Sequence, residues 1–298
     1  MGILFAILSY AIDASVNFLD KFLLGSYDLE PAVITIYSGF IALIIGLIVF
    51  LFIGFHPIDA KSILIILLSG VLTELILLPY FKALSLDETS RVVPLFNFGP
   101  IFVILLSFVI LQEQLLIKQY IGATFIICSG FLLSMKKLDF SIFKLRPAFY
   151  YMLLASFFTA AAFVLFKLGI HTSGFWQVLP YEGLGLGIGG VLIFLYPSNT
   201  KLILVKTKQM RKKAFFFMTI EEIVYISTQY LKYFAGSLIP VSLVSALVGT
   251  QSLFSLIYGI ILSLYAPNIA KEVLSRENIG VKVIAIAGMF VGLYYIFL

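Results

Sequence analysis

Polar side chains interrupt hydrophobic stretches of this chain that are long enough to cross a lipid bilayer. The clearest case is the first stretch, residues 2–24, which contains Asp13, Asn17 and Asp20. A membrane-spanning helix needs about 20 apolar residues, and an acid near its centre costs roughly 2.5–3.5 kcal/mol on insertion scales. Such side chains face a packed protein interior or a water-filled cavity. The pattern therefore predicts a helical membrane protein with polar groups inside it.

The composition supports this class of protein. The 298 residues are 61% hydrophobic and only 12% charged, whereas soluble domains carry about 25% charged residues. The single cysteine, Cys128, lies inside a predicted span, which excludes a disulfide framework and a cysteine-based metal site. We expect neither a metal nor a cofactor. The net charge of +5 resides mostly in loops, where membrane lipids rather than nucleic acid are the expected partners.

Apolar runs bounded by charged residues, Pro and Gly predict an all-α integral membrane fold with ten transmembrane helices. The predicted spans cover residues 2–24, 31–54, 61–84, 89–111, 116–136, 147–170, 175–196, 214–236, 239–265 and 277–297. Most connections between them are short, so consecutive helices should be antiparallel neighbours.

The second half of the chain repeats the first. Span two, YSGFIALIIGLIVFLF, matches span seven, YEGLGLGIGGVLIFLY, and pairs Tyr37 with Tyr181. Weaker matches join spans one and six, three and eight, and five and ten. The alternative is chance similarity between apolar segments. Five spans is an odd number, so we expect two inverted five-helix repeats, residues 1–138 and 139–298, as in many secondary transporters.

Basic residues predict the orientation of the chain in the membrane. Sixteen of the 20 Lys and Arg residues lie in or beside the loops that follow odd-numbered spans, and four lie on the other side. Cytoplasmic loops carry the excess of Lys and Arg. We therefore expect a multi-pass protein of the cell (inner) membrane with both termini outside.

The segment 80–134 resembles the EamA-type repeat of the drug/metabolite transporter superfamily. The residues that carry the resemblance include Pro100 in span four, Glu113 at its end, and Gly122 and Gly130 in span five. The resemblance implies a ten-helix carrier of small metabolites. It also implies that spans one, three, four, six, eight and nine surround a central cavity, while five and ten pack outside.

The sequence departs from the family pattern in two informative places. Gln112 stands where the family usually has Gly before the Glu, and Tyr10 stands where a Trp is common. These departures leave the subgroup and the substrate open. Many family members also have their termini inside, whereas the basic residues of this chain predict the opposite.

Two polar stripes suggest where a cavity wall lies. Helical spacing places the polar residues of span one on one face. Span eight carries a second stripe, which includes Glu221 and Lys232. The predicted substrate-binding or coupling residues are Asp13, Asn17, Glu74, Tyr80, Asn97, Glu221, Tyr225, Gln229 and Gln251.

Each of these residues also has a structural interpretation. Asp13 is either a cation counter-charge or proton acceptor in a cavity, or a group that hydrogen-bonds neighbouring helices. Asn97 is a neutral ligand for substrate or the cap of a proline kink. We expect only one of the adjacent Glu221 and Glu222 to face the cavity, and we place Lys232 near a span end with the other lysines.

These features favour a secondary transporter that works by alternating access and carries a small neutral, zwitterionic or cationic metabolite. Proton or cation coupling remains open, as does a monomer or a homodimer. A carrier of a lipid-linked or nucleotide-linked substrate is the first alternative, but it would need basic residues in the cavity. An intramembrane enzyme is disfavoured, since the sequence has no GxGD or HExxH pattern. A passive channel would need a continuous open pore.

Overall fold

The computed structural model describes residues 1–27, 29–54, 58–87, 92–134, 146–196, 199–200, 202–203, 205–206, 212–265 and 276–298. These residues are almost entirely helical, and no β-strand is found among them. The expected boundary between the repeats, at residues 138 and 139, lies outside the described residues. So do the basic segments 135–145 and 207–211 that dominate the predicted orientation.

The helices follow the predicted spans to within a few residues at most ends. They are α1 (Gly2–Tyr27), α2 (Pro31–Ile53), α3 (Ala60–Leu75), α4 (Leu77–Leu86), a 3₁₀-helix (Val93–Phe98), α5 (Gly99–Leu106), a π-helix (Ser107–Leu111), α6 (Ile117–Ser134), α7 (Pro147–Ser173), α8 (Phe175–Phe194), α9 (Lys212–Leu238), α10 (Val241–Ala246), α11 (Gly249–Tyr265) and α12 (Arg276–Phe297). In the described part of the chain, seven helical segments are long and apolar enough to cross a membrane, and two shorter apolar helices accompany them.

Several predicted spans are interrupted where the sequence carries Pro or Gly. Predicted span three is split into α3 and α4 at Ile76, and Pro79 lacks the N–H that would bond to the carbonyl of Leu75. Predicted span four begins as a 3₁₀-helix and ends as a π-helix. The π-helix closes at Gln112, which adopts a left-handed conformation with φ 56°.

Close glycine contacts join helices of the two halves. Helix α2 runs along α8, and a Cβ added to Gly39 would lie only 2.5 Å from the Cα of Gly190. Helix α6 runs along α12, where a Cβ on Gly122 would lie 2.6 Å from the carbonyl oxygen of Gly292. Small residues let helix backbones approach in this way, which is typical of packing inside a membrane.

The remaining helices surround the centre of the molecule. Helix α1 packs along α9 and α11, and α7 packs along α3, α4 and α5. The outward faces of the bundle expose large apolar side chains such as Leu51, Phe52 and Ile117, as expected for surfaces in contact with lipid.

Candidate functional site

A cavity of about 160 Å³ lies at the centre of the helical bundle. Its walls come from α1, α2, α3, α4, the 3₁₀-helix, α5, α7, α9, α10 and α11. Helices α6 and α12, the predicted spans five and ten, contribute no lining side chain among the described residues. The six spans expected from the resemblance all line the cavity, but α2 lines it as well, through Ile34 and Ser38.

Most of the predicted site residues meet at this cavity. The seven that line it are Asp13, Asn17, Tyr80, Glu221, Tyr225, Gln229 and Gln251. Glu74 and Asn97 are buried but do not line it. The two polar stripes inferred from helical spacing therefore face each other across the same space.

An ion pair between Asp13 and Lys232 links α1 to α9 within the cavity wall. The Nζ of Lys232 lies 2.8 Å from Oδ2 of Asp13, and the hydroxyl of Thr228 donates a 2.8 Å hydrogen bond to Oδ1. The same Nζ lies 5.4 Å from the centre of the Tyr10 ring, within the range of a cation–π contact. Asp13 is therefore compensated by the protein's own cation.

The position of Lys232 corrects a sequence prediction. We placed this lysine near a span end, with its charge outside the cavity. Helix α9 continues to Leu238, and the side chain of Lys232 reaches the cavity wall, where it is 13% exposed. Lys232 falls on the same predicted stripe as Glu221, and that spacing was the available signal for its inward position.

Carboxyl groups gather in the part of the cavity near the end of α1 and the start of α9. Asp20 lines the cavity and lies close to Glu221. Glu221 and Glu222 both line the cavity, which corrects the expectation that only one of them would. Neighbouring helical positions differ by about 100°, and this cavity extends around more than one face of α9.

Glu74 points away from the cavity. Its neighbour Thr73 lines the cavity instead, while Glu74 is only 1% exposed and lies between α2 and α8. Glu74 therefore does not directly contact the space in which a molecule would bind. The lining residues Thr73, Leu77 and Tyr80 keep regular helical spacing through the junction of α3 and α4, and Glu74 lies off that face.

Asn97 also differs from the prediction that it is a substrate ligand. Phe96, Gly99 and Pro100 face the cavity, whereas the side chain of Asn97 packs against Gly130 of α6. The 3₁₀-helix repeats every three residues, so Phe96 and Gly99 share the inner face and Asn97 lies off it. The prolines of span four correctly indicated an irregular backbone here, but they did not indicate which side chains that backbone turns towards the cavity.

A second buried carboxyl lies behind the wall and was not among the predicted site residues. Glu182 of α8 accepts hydrogen bonds from the Tyr233 hydroxyl at 2.8 Å and the Thr73 hydroxyl at 3.3 Å. Tyr233 and Thr73 line the cavity, and the Tyr233 ring stacks on Phe166 at 3.8 Å. Tyr233 lies four residues after Gln229, a helical spacing that could have identified it.

Contacts between the two halves close the other end of the bundle. Glu113 accepts hydrogen bonds from the backbone N–H groups of Val241 and Ser242 at 3.1 and 3.3 Å, and from the Ser242 hydroxyl at 2.9 Å. The ammonium of Lys167 donates to the carbonyl oxygen of Gly236. These contacts lie at the ends of helices opposite to those that carry Asp20.

The charges of the lining are unequal. Asp13, Asp20, Glu221 and Glu222 line the cavity, and among the described lining residues Lys232 is the only Lys or Arg. No group of three or more His, Cys, Asp or Glu residues in the described part of the chain is arranged to hold a metal ion. The site is thus an acidic cavity with one internal ion pair.

Comparison with known proteins agrees with this architecture. Residues 1–135 match the EamA-like transporter family, which is part of the drug/metabolite transporter superfamily. These residues belong to that family. The resemblance found in the segment 80–134 is thereby confirmed, and the match assigns residues 1–135 to a family of membrane transporters.

The fold similarity extends further along the chain than the family match. One solved crystal structure, of a protein with no stated function, aligns with a TM-score of 0.66 at 14% sequence identity. The alignment covers 98% of this chain and 93% of that chain. At so low an identity the likeness shows a shared fold alone. A search of curated proteins found no match.

Proposed function

We propose that this EamA-like protein is a secondary transporter that moves a small metabolite across the cell membrane by alternating access. The observation that carries the proposal is the Asp13–Lys232 pair at the wall of a central cavity. Asp13 belongs to the first proposed repeat, residues 1–138, and Lys232 to the second, residues 139–298. Relative movement of the two halves would therefore change the binding site directly.

The helix contacts support ten spans in two inverted five-helix repeats. In the proposed repeat, α1 corresponds to α7, α9 to α3 and α4, and α11 to α5. The contact of α1 with α9 therefore has a counterpart in the contact of α7 with α3 and α4, and both are present. The contact of α1 with α11 has its counterpart in that of α7 with α5, which is also present. The pairs α2 with α8 and α6 with α12 exchange into themselves. Such internal symmetry is typical of carriers that rock around a central site.

The charges of the cavity favour a zwitterionic substrate within the neutral, zwitterionic and cationic classes. Asp13 and Lys232 offer one charge of each sign, so a zwitterion could exchange the internal pair for two new ones. A purely cationic substrate would leave the Lys232 ammonium beside it without a partner, which is costly in a site shielded from water. Phosphate-bearing substrates are disfavoured, since four carboxyl groups share the described lining of the cavity with a single lysine.

The test is transport by purified protein in liposomes. Vesicles loaded with an unlabelled zwitterionic amino acid should accumulate the same labelled amino acid from outside, across a panel of such compounds. A carrier shows this counterflow, whereas a passive channel does not. Lys232→Met and Asp13→Asn should each reduce it strongly, and the exposed Lys61→Met should behave as the unchanged protein. Absence of counterflow for all zwitterions, neutral metabolites and amines would refute the proposal.

A further inference from the structure

Glu74 occupies a position that substrate binding does not explain. Its side chain is 1% exposed, and neither carboxyl oxygen has a hydrogen-bond partner of regular geometry. Backbone encloses it on two sides, because a Cβ on Gly189 would lie 2.7 Å from the Cβ of Glu74 and one on Gly39 would lie 3.3 Å from its Oε1. An isolated charge buried without a partner is very unfavourable. The slot therefore suits the uncharged acid.

A short polar route joins this slot to the cavity. Ser38 of α2 lines the cavity and lies beside Glu74 and Glu222, and its hydroxyl makes no hydrogen bond of regular geometry. Glu222 also lines the cavity, is only 2% exposed, and leaves its Oε1 without a hydrogen-bond partner. Unpartnered buried oxygens on both sides of one hydroxyl mark a place where a proton can be accepted and passed on.

The acids Asp20 and Glu221 lie close together beside this route. Two ionised carboxylates repel each other, so this proximity favours a proton on one of them. Both residues line the cavity next to Glu222. A proton held by Asp20 and Glu221 would thus lie next to Glu222, where the route to Glu74 begins.

We propose that Glu74 is a proton-binding site that exchanges its proton with the cavity through Ser38 and Glu222, separately from the Asp13–Lys232 pair. In the transfer, the Glu74 acid gives its proton to the Ser38 oxygen, and Ser38 gives its own hydroxyl proton to the Glu222 carboxylate. The step leaves Glu74 ionised, Glu222 neutral and Ser38 unchanged. This proposal rests on the proposed function, since it supplies the coupling ion of that transporter.

The geometry selects a proton over a metal cation. The acids of the described residues do not converge in groups of three that could chelate a metal. Gly39 and Gly189 also pack closely against Glu74 on two sides, which disfavours an ion with bound water there. A proton needs neither several ligands nor a void.

Among the described residues, the charged and titratable groups that interact with Glu74 come from one helix. Glu74 interacts electrostatically with three residues of α9: Glu221, Glu222 and Tyr225. From α2 and α8 the described neighbours are Ser38 and glycines. Ionisation of Glu222 therefore opposes ionisation of Glu74, so that the two groups favour holding at least one proton between them.

Infrared difference spectroscopy tests the site with protons alone as the probe. The reconstituted protein is exposed to acidic and then alkaline buffer, and the C=O stretching band of protonated carboxyl groups is recorded. Glu74→Gln, which is nearly isosteric, should lose one component of this band. The control Glu30→Gln, at an exposed acid paired with Lys206, should retain all buried components. An unchanged band in Glu74→Gln overturns the proposal.

A second variant tests the route and keeps Glu74 in place. In Ser38→Ala, the Glu74 component of the band should still be present, but it should no longer respond quickly to a pH jump. An unaltered response would overturn the route through Ser38. In liposomes, a pH gradient should no longer increase uptake by Glu74→Gln. Counterflow by the unchanged protein without a gradient tests the transporter itself. Failure of counterflow thus rejects the proposed function, while titration of Glu74 is judged independently.

Discussion

At the scale of single residues, the character of the cavity depends on Lys232. Without this lysine, Asp13 would be one of four uncompensated acids and would attract cations. With it, the acid is neutralised by a partner 2.8 Å away, and Tyr10 stabilises the lysine through its ring. In the proposed function, a substrate that carries both charges would replace this internal pair.

The first prediction concerns the stability of this pair. Breaking a buried ion pair by removing one partner costs about 3–5 kcal/mol, because the other charge is left behind. The side chains of Lys232 and Asp13 are 13% and 12% exposed, so we expect Lys232→Met to lower the free energy of unfolding by about 3 kcal/mol. Asp13→Asn combined with Lys232→Met should recover part of the loss. Denaturant unfolding in detergent measures both, and an equally unstable double variant would contradict coupling between them.

The second prediction concerns Gln112, where the family usually has Gly. Its φ of 56° and ψ of 28° are left-handed, a conformation that costs a non-glycine residue roughly 1–2 kcal/mol. Gln112→Gly should therefore stabilise the protein by up to about 1 kcal/mol, since part of the gain is offset by the freedom of glycine in the unfolded chain. Gln112→Ala keeps the Cβ and should give no gain. Equal melting temperatures for the two variants would count against a strained turn.

At the scale of helices, the sequence revealed spans and polar faces but not the contacts between them. The α1 stripe was predictable, because Asp13, Asn17 and Asp20 recur at helical spacing and all three line the cavity. Asn97 was misplaced because a 3₁₀ segment changes which side of a helix faces inward, and Glu74 because a position near the middle of a span does not identify its inward face. Periodicity describes one helix at a time and does not identify its neighbour.

The third prediction tests the glycine contact between α2 and α8. Ala at Gly39 would bring its Cβ to 2.5 Å from the Cα of Gly190, and backbone cannot yield as a side chain can. Gly39→Ala should lower stability by about 1–3 kcal/mol, the usual cost of overpacking. Gly280→Ala is the matched control, because no atom lies within 4 Å of its added Cβ. That change should instead stabilise α12 by about 0.5–1 kcal/mol, so thermal shifts of the same sign would contradict the packing.

At the scale of the whole molecule, a nearly symmetric scaffold carries asymmetric chemistry. The helix pairs exchange between the halves, yet Lys82 in span three is exposed, while Lys232 in the matching span eight lines the cavity. Glu113 of the first half binds the start of α10 and closes one end. The cavity extends towards the other end, where α1 ends and α9 begins. If the basic loops are cytoplasmic, this conformation is closed to the outside.

The last prediction concerns the number of crossings and the orientation together. Ten spans place both termini on the same side, whereas seven would place them on opposite sides. In a Cys128→Ser background, a membrane-impermeant maleimide should label Leu298→Cys and an N-terminal tag cysteine in intact cells. Ser141→Cys and Gln209→Cys, in the basic segments, should be labelled only after the membrane is permeabilised, because Lys and Arg hold such loops in the cytoplasm. Labelling of one terminus alone would reject the ten-span layout. Protection of both termini, with labelled basic segments, would keep that layout but reverse the orientation and make the cavity open outward.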